Sequence, residues 1–344
     1  MSEISDGSVT PDPVLPQTDL APAPLPAGGP QNWAHRTLYD NVIKTVSTLP
    51  SEFASSIVIR DFRATDIFTL NSALGASIED SVVVALNKLR DLWDPDGNYG
   101  VYRFERQSQA FPDVRLVTDA AGHESPLLGI ELKGWYVIAK EAKPTFRYNI
   151  NADACAPQDL LVVFPWVLSD VIAGSPKLLK PFIGEAKHAA LYRNYYWTRM
   201  RTMEGGNPNI IPAEHASPYP ASKVDKCSDQ AEDDSGDNFG RIARSGLLDA
   251  FVAQAGREVV SGIPVKAWVK FFRVFRDSSG DVDQMTLEVE SAMSSYAVSS
   301  EADREALVSA LGILLEKLHQ APVSAAVQTT AVRRRRTILP QSDS

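Results

Sequence analysis

A thirteen-residue apolar segment, Leu127–Ala139, carries two charges at its centre, and it constrains the fold more than any other part of the chain. Its leucine, isoleucine, valine and aromatic residues predict a β-strand. Alternate residues of a strand share a face, so Leu128 and Ile130 point one way while Glu131 and Lys133 point the other. The chain is therefore expected to build a sheet with one apolar face. The two charges on the other face are costly to bury unless they are paired or have a function.

The residues upstream of this segment place an aspartate close to it. Asp113 follows Pro112 and precedes Glu131 by eighteen residues. The alternation over 114–117 predicts a short strand, and the sequence Gly-His-Glu-Ser-Pro at 122–126 predicts a turn. A hairpin with this turn brings Asp113 near Glu131.

These residue types suit metal-dependent hydrolysis of a phosphodiester. Bound Mg²⁺ activates water and neutralises charge at phosphorus, and it usually takes only one or two protein carboxylates. Asp113 and Glu131 would suffice, and the carbonyl of Leu132 is a further candidate ligand. The ammonium of Lys133 would orient the attacking water or stabilise the pentavalent phosphorus. Glu79, predicted in the first turn of a helix that begins after Gly75, is a candidate outer carboxylate, although the helix dipole alone favours an acid there.

Pro112-Asp113 and Glu131-Leu132-Lys133, in this order, resemble the PD-(D/E)XK signature of the restriction-endonuclease-like nuclease superfamily. The resemblance covers about residues 70–200. It implies an α/β fold with a mixed central sheet flanked by helices, the core order α-β-β-β-α-β and C-terminal elaborations. It also implies that Asp113, Glu131 and Lys133 are catalytic, with Mg²⁺ as the cofactor.

Within the superfamily, the large elaborations look most like a type II restriction endonuclease. Such an enzyme would cut double-stranded DNA at a specific short sequence. A homodimer would match a palindromic site, and a cognate DNA methyltransferase, acting separately, would protect host DNA. Three alternatives stay open: a repair or other phage-defence nuclease of the same superfamily, a non-enzymatic interaction protein, and Glu131 and Lys133 as solubilising charges on an exposed face.

Two groups of basic residues are candidates for contact with DNA phosphates. The first follows the charged strand, and the second lies among tyrosines and a tryptophan, a mixture that suits phosphate contact and stacking. The candidates are Lys140, Lys143, Arg147, Arg193, Arg199 and Arg201. For the second group, an amphipathic helix with core-facing aromatic residues and solvated arginines is an equally good interpretation.

The chain divides by composition into three parts. Residues 1–30 hold seven of the 23 prolines and predict a disordered arm. Residues 31–325 form the predicted nuclease domain, with an irregular acidic loop at 204–240. Residues 326–344 are a basic and polar tail. The predicted helices are one starting at Asn32, one following Gly75, and those over 177–203, 241–260 and 301–319; the further predicted strands are 160–167, Val265–Phe275 and Met285–Glu290.

Composition narrows the classes of protein. A net charge of −9 argues against a generic, charge-driven nucleic-acid coat, but a nuclease with a local basic cleft remains compatible. Two cysteines exclude a disulfide framework and fit a reducing compartment. No apolar run approaches the roughly 18–20 residues of a membrane span, and the N-terminus does not resemble a signal peptide, so we expect a cytoplasmic protein with no membrane partner.

Overall fold

A computed structural model describes residues 22–60, 70–120, 125–139, 143–144, 146–169, 171, 173–220, 227–236, 239–241 and 246–274. All of them fall within the first of two units of the chain, Met1–Tyr296. Lys140, most of the predicted turn at 122–126, the predicted elements at 285–290 and 301–319, and the terminal arginines lie outside the described residues.

In the described ranges, three α-helices precede the strands of the main sheet and three follow them. They are α1 (Arg36–Glu52), α2 (Leu70–Lys88), α3 (Arg90–Trp93), α4 (Ala186–Met203), α5 (Asp249–Ala255) and α6 (Val265–Val274). No helix in the described part of the chain is both long and apolar enough to cross a membrane.

The longer strands of the described ranges join in one sheet, and the shorter ones form two small ribbons. The strands are β1 (Arg103–Arg106), β2 (Val114–Val117), β3 (Leu128–Tyr136), β4 (Leu160–Leu168), β5 (Pro176–Leu178), β6 (Phe182–Glu185), β7 (Ile210–Ile211), β8 (Gln230–Ala231), β9 (Val259–Val260) and β10 (Ile263–Pro264).

The main sheet is mixed and has the order β1-β2-β3-β4-β5, with β6 also paired to β4. Strands β3 and β4 run parallel, and the other neighbours run antiparallel. All nine residues of β4 are buried, which confirms the strand predicted from its continuous apolar run. Helix α2 packs on β1 and β3, and α4 packs on β4 and β6. An α/β fold with a mixed sheet flanked by helices is therefore confirmed.

The order of elements departs from the implied core order α-β-β-β-α-β. Helices α2 and α3 are followed by three antiparallel strands, of which β1 was not predicted from the sequence. In the connection from β3 to β4, the described residues form a 3₁₀ turn at Ala152–Ala154 and no α-helix. The α-helix comes later, as α4, after β5 and β6.

Several predicted boundaries are wrong. Helix α1 begins at Arg36 rather than at Asn32, and α2 begins at Leu70, so Glu79 lies in its third turn and the helix dipole does not explain it. The predicted helix over 177–203 contains strands β5 and β6 before α4; Pro181 disfavours a helix there, because its ring removes a backbone donor and clashes with the preceding turn. The predicted helix over 241–260 is reduced to α5.

The predicted strand Val265–Phe275 is helix α6. Its buried side chains are Val265, Trp268, Val269 and Phe272, and this spacing of three and four residues is helical. The strand was predicted from its β-branched and aromatic residues, and that prediction was wrong. The spacing of the apolar residues, which is helical, was the better indicator of the structure.

The described part of the N-terminal arm is bound to the body of the protein. The carboxylate of Glu185, at the end of β6, accepts hydrogen bonds from the backbone N–H groups of Ala27 and Gly29 at 2.9 and 2.7 Å. His188 Nε2 donates to the carbonyl of Pro24 at 3.0 Å. Residues 22–30 therefore depart from the disordered arm that their proline content predicts.

Candidate active site

The side chain of Asp113 contacts the backbone of β3 just beyond the last paired residue of β2. Strands β2 and β3 pair with Val114 opposite Ile130, as the predicted hairpin requires. Beyond this pair β2 ends, and the carboxylate of Asp113 accepts a hydrogen bond from the backbone N–H of Leu132 at 2.8 Å through Oδ2. Since the N–H and C=O of a strand residue point to the same side, the carbonyl of Leu132 also faces this end of β2.

Glu131 and Lys133 form an ion pair on the face of β3 that the alternation predicted. Lys133 Nζ donates to Glu131 Oε1. The side chains are only 8 % exposed for Glu131 and 21 % for Lys133. Charges buried to this degree are not solubilising surface residues, so the surface interpretation does not hold.

Glu79 reaches the same cluster from α2, but it is held by an arginine that the sequence did not nominate. Arg106, the last residue of β1, donates to Glu79 Oε2 through Nε at 2.9 Å, and its Nη2 lies 2.8 Å from the same oxygen. Asp80 Oδ1 lies 3.4 Å from Arg106 Nε. Glu79 is therefore close enough to influence Asp113 and Lys133, and its role as an outer carboxylate stays a prediction.

The pKa values report mutual influence within the cluster. Burial, followed by the charge of Glu131, raises the pKa of Asp113 well above its ordinary value, while Lys133 opposes this rise. Burial alone lowers the pKa of Lys133, but Glu131 and Asp113 together outweigh it, so the pKa lies above its ordinary value. Three carboxylates, those of Glu79, Asp113 and Glu131, share this site with two cations, Lys133 and Arg106.

A glycine lets Pro112 and Asp113 approach β3. A side chain at Gly129 would put its Cβ 2.3 Å from Pro112 Cγ and 2.7 Å from Asp159 Oδ1. The Phe111-Pro112 peptide is cis, and Arg115 Nη2 donates to the carbonyl of Phe111 at 2.5 Å. Gly129, Pro112 and Arg115 therefore fix the position from which Asp113 extends.

Asp159 supports the same glycine from the start of β4. It accepts hydrogen bonds from the N–H of Gly129, the N–H of Ala156 and the hydroxyl of Tyr219, each at 2.8 Å. Burial raises the pKa of Asp159 to about 6, against the lowering effect of these hydrogen bonds. The carboxylate is fully buried and ties residues 129, 156 and 219 together.

Gly129→Ala is expected to destabilise the protein by about 1–3 kcal/mol, because the added methyl group forces Pro112 or Asp159 to move. The matched control is Gly75→Ala in α2, where nothing lies within 4 Å of the added Cβ. Alanine is a better helix former than glycine, so this control is expected to gain about 0.5–1 kcal/mol. Urea unfolding measures both; wild-type stability in Gly129→Ala would show that Pro112 does not rest on Gly129.

The donor set fits a hard cation such as Mg²⁺. Within the described ranges, no three His, Cys, Asp or Glu side chains are grouped to hold an ion by themselves. Mg²⁺ needs fewer, since it keeps several waters and is usually bound through one or two carboxylates. The oxygens available for it are those of Asp113 and Glu131 and the carbonyl of Leu132, with Glu79 outside them.

The candidate DNA-contacting residues differ in their burial, and one of them, Arg193, lies in the core. Arg193 is 3 % exposed, donates to the carbonyls of Tyr148 and Ile150 at 3.0 and 2.8 Å, and forms an ion pair with buried Asp229. This arginine is a core residue, so its nomination for DNA contact is corrected. Asp229, within the acidic loop predicted at 204–240, is buried.

The other candidates lie nearer the surface. Arg201 lies 5.4 Å from the ring centroid of Trp197 and 3.8 Å from an Asp233 carboxylate oxygen. Arg199 is half-buried on the same helix, and Lys143 and Arg147 are exposed in the segment after β3. These four residues stay candidates for phosphate contact.

Sequence reasoning missed Arg106, Gly129, Arg115 and Asp159. One signal was available for Gly129, because a glycine inside an otherwise apolar strand often marks a close backbone approach. No comparable signal was available for Arg106. Its hydrogen-bond partner Glu79 lies 27 residues away in the sequence, and neither residue is unusual for the strand or helix that contains it.

Comparison of this chain with protein-family models, with curated proteins and with solved structures finds no match in any of the three.

Proposed function

We propose that this protein is a Mg²⁺-dependent endonuclease that cleaves the phosphodiester bonds of double-stranded DNA. The observation that carries the proposal is the convergence of Asp113, Glu131 and Lys133 at the end of β2, with Glu79 beside them. Residues far apart in the chain contribute acidic oxygens and one ammonium to a single, largely buried place. Metal-dependent phosphodiester hydrolysis can use this combination, with the carboxylates as metal ligands and the ammonium beside them.

Each residue has a role that follows from its position. Asp113 and Glu131 would hold Mg²⁺ together with the carbonyl of Leu132. When bound, Mg²⁺ supplies an activated water and neutralises charge at phosphorus. Lys133, fixed by Glu131, presents its ammonium beside the metal ligands, where it orients the attacking water or stabilises the phosphorus in the transition state. The low exposure of the cluster strengthens these electrostatic interactions.

The finer proposal is a type II restriction endonuclease that recognises a specific short sequence. It acts as a homodimer on a palindromic site, and a separate methyltransferase protects the host DNA. A repair or other defence nuclease of the same superfamily is the alternative, and it would not produce discrete fragments. A role as an interaction protein is less well supported, because residues 22–30 of the arm already bind Glu185 and His188 of the same chain.

The test is incubation of the purified protein with long unmodified DNA and Mg²⁺, with EDTA as the first control. We expect discrete bands with Mg²⁺ and intact DNA with EDTA. Lys133→Ala is expected to abolish cleavage, and Lys177→Ala, at an exposed lysine of β5, is expected to retain it. A smear in place of bands would favour the alternative nuclease, and cleavage by Lys133→Ala would show that the site is elsewhere.

Lys133→Ala leaves the buried carboxylate of Glu131 without its partner, and this loss destabilises proteins by about 3–5 kcal/mol. The double variant Glu131→Gln with Lys133→Met removes both charges and avoids the unpaired carboxylate. Circular dichroism establishes that it is folded. A folded double variant that cleaves DNA like the wild type would exclude this cluster as the active site.

A further inference from the structure

Arg106 lies at the outer edge of the cluster with its guanidinium directed at an acid. Both of its contacts with Glu79 fall on one oxygen, Oε2, at 2.9 and 2.8 Å. Its side chain is 31 % exposed, compared with 21 % for Lys133, whose ammonium is paired with buried Glu131. Arg106 is therefore the more accessible of the two cations.

The charges of the cluster depend on whether a divalent ion is present. Glu79, Asp113 and Glu131 carry three negative charges when ionised, and Lys133 and Arg106 carry two positive ones, which leaves one negative charge in excess. Asp80 is 65 % exposed and is screened by water. Mg²⁺ would turn the excess into one positive charge, and a phosphodiester carries the single negative charge that cancels it.

A guanidinium that binds a carboxylate has the geometry that binds a phosphate. Its planar fork matches two oxygens of either group, and such charge-assisted bonds are about twice as strong as neutral ones. Once a metal ion neutralises the carboxylates, Glu79 no longer needs Arg106, and the phosphate becomes the better partner.

We propose that Arg106 is a substrate-binding residue that is held by Glu79 in the metal-free protein and transfers to a DNA phosphate beside the site when the metal binds. The inference rests on the proposed nuclease function and deepens it. Arg106 and Glu79 couple metal binding to DNA binding, so that DNA binds tightly only when the metal is present.

The coupling is tested by the salt dependence of DNA binding, which counts phosphate contacts without requiring cleavage. Each contact contributes about 0.9 to the slope of log K against log salt concentration. A fluorescently labelled duplex is titrated with protein in EDTA and in Ca²⁺, another hard cation with oxygen ligands. A gel establishes that the duplex stays intact.

Two variants have opposite expected effects. Arg106→Gln is expected to reduce the slope by about 0.9 in Ca²⁺ and to leave it unchanged in EDTA. Glu79→Gln leaves Arg106 only its 3.4 Å contact with exposed Asp80, which water screens, so the slope of this variant in EDTA is expected to increase by about 0.9. The matched control is Arg103→Gln on the same strand, which pairs with Glu105 and Asp119 and is expected to change neither slope.

The outcomes separate this inference from the proposed function. If wild-type protein cleaves DNA with Mg²⁺ but Arg106→Gln keeps the full slope in Ca²⁺, the role of Arg106 is overturned and the nuclease stands. An unchanged slope for Glu79→Gln in EDTA also overturns it. If the wild type neither cleaves DNA nor binds it more tightly with metal, both fail.

Discussion

Asp113→Asn is expected to abolish Mg²⁺-dependent DNA cleavage and, in the same protein, to stabilise the metal-free fold. A metal ion supplies several kcal/mol of transition-state stabilisation, so the loss of a ligand is expected to reduce cleavage by about a thousand-fold or more. The amide oxygen of Asn can still accept the hydrogen bond from the N–H of Leu132. The substitution therefore removes a charge and keeps the shape.

The variant is expected to lose activity but gain stability, because the ionised carboxylate of Asp113 is electrostatically unfavourable when no metal is present. Burial and Glu131 raise its pKa well above the ordinary value of 3.8. A carboxyl group whose pKa is raised on folding contributes stability that is present below pH 3.8 and lost as the pH rises through its folded pKa. Asn does not titrate, so the free energy of unfolding of the variant exceeds that of the wild type by an amount that grows as the pH rises from 3.8 through the folded pKa. Above that pKa the difference is constant, at about 0.5–2 kcal/mol.

Calorimetry in EDTA at acidic and neutral pH measures this difference, and cleavage of long DNA in Mg²⁺ measures the loss of activity. Asp119→Asn is the matched control, because Asp119 is an exposed carboxylate paired with Arg103. It is expected to leave cleavage intact and to give no stabilisation. A metal-free Asp113→Asn protein that is less stable than the wild type at neutral pH would contradict the electrostatic description of the cluster.

Arg193→Ala is expected to destabilise the protein by about 3–5 kcal/mol, the cost of leaving a buried charge unpaired. Asp229 is 1 % exposed, and it also accepts hydrogen bonds from Asn151 Nδ2 at 2.6 Å and from the N–H of Ala213 at 3.0 Å. The substitution additionally deprives the carbonyls of Tyr148 and Ile150 of their donor. Urea unfolding measures the loss.

Arg199→Ala is the matched control on the same helix, where the arginine is only half-buried. It is expected to change stability by less than about 0.5 kcal/mol, as substitutions away from buried features do. The same pair of variants separates a core role for Arg193 from a role in DNA contact. If Arg193→Ala keeps wild-type stability and binds DNA weakly, Arg193 contacts DNA after all.

The central strands were predictable because burial on a strand leaves a local pattern. The run at 160–167 became β4, buried throughout, and the alternation in β3 separated Leu128 and Ile130 from Glu131 and Lys133. The ends of helices were less predictable. Helix α2 extends before Gly75 to Leu70, because a glycine inside a helix costs only about 1 kcal/mol and does not by itself end it.

The charges on β3, the face that they share and the return of Asp113 to them through a hairpin were all predictable from the sequence. These properties follow from a period of two residues and from nearby turn residues. The long-range partner of each charge became known from the packing of the folded chain. Arg106 meets Glu79 across 27 residues and Arg193 meets Asp229 across 36. No local periodicity encodes such pairs, since they form where separate elements pack together.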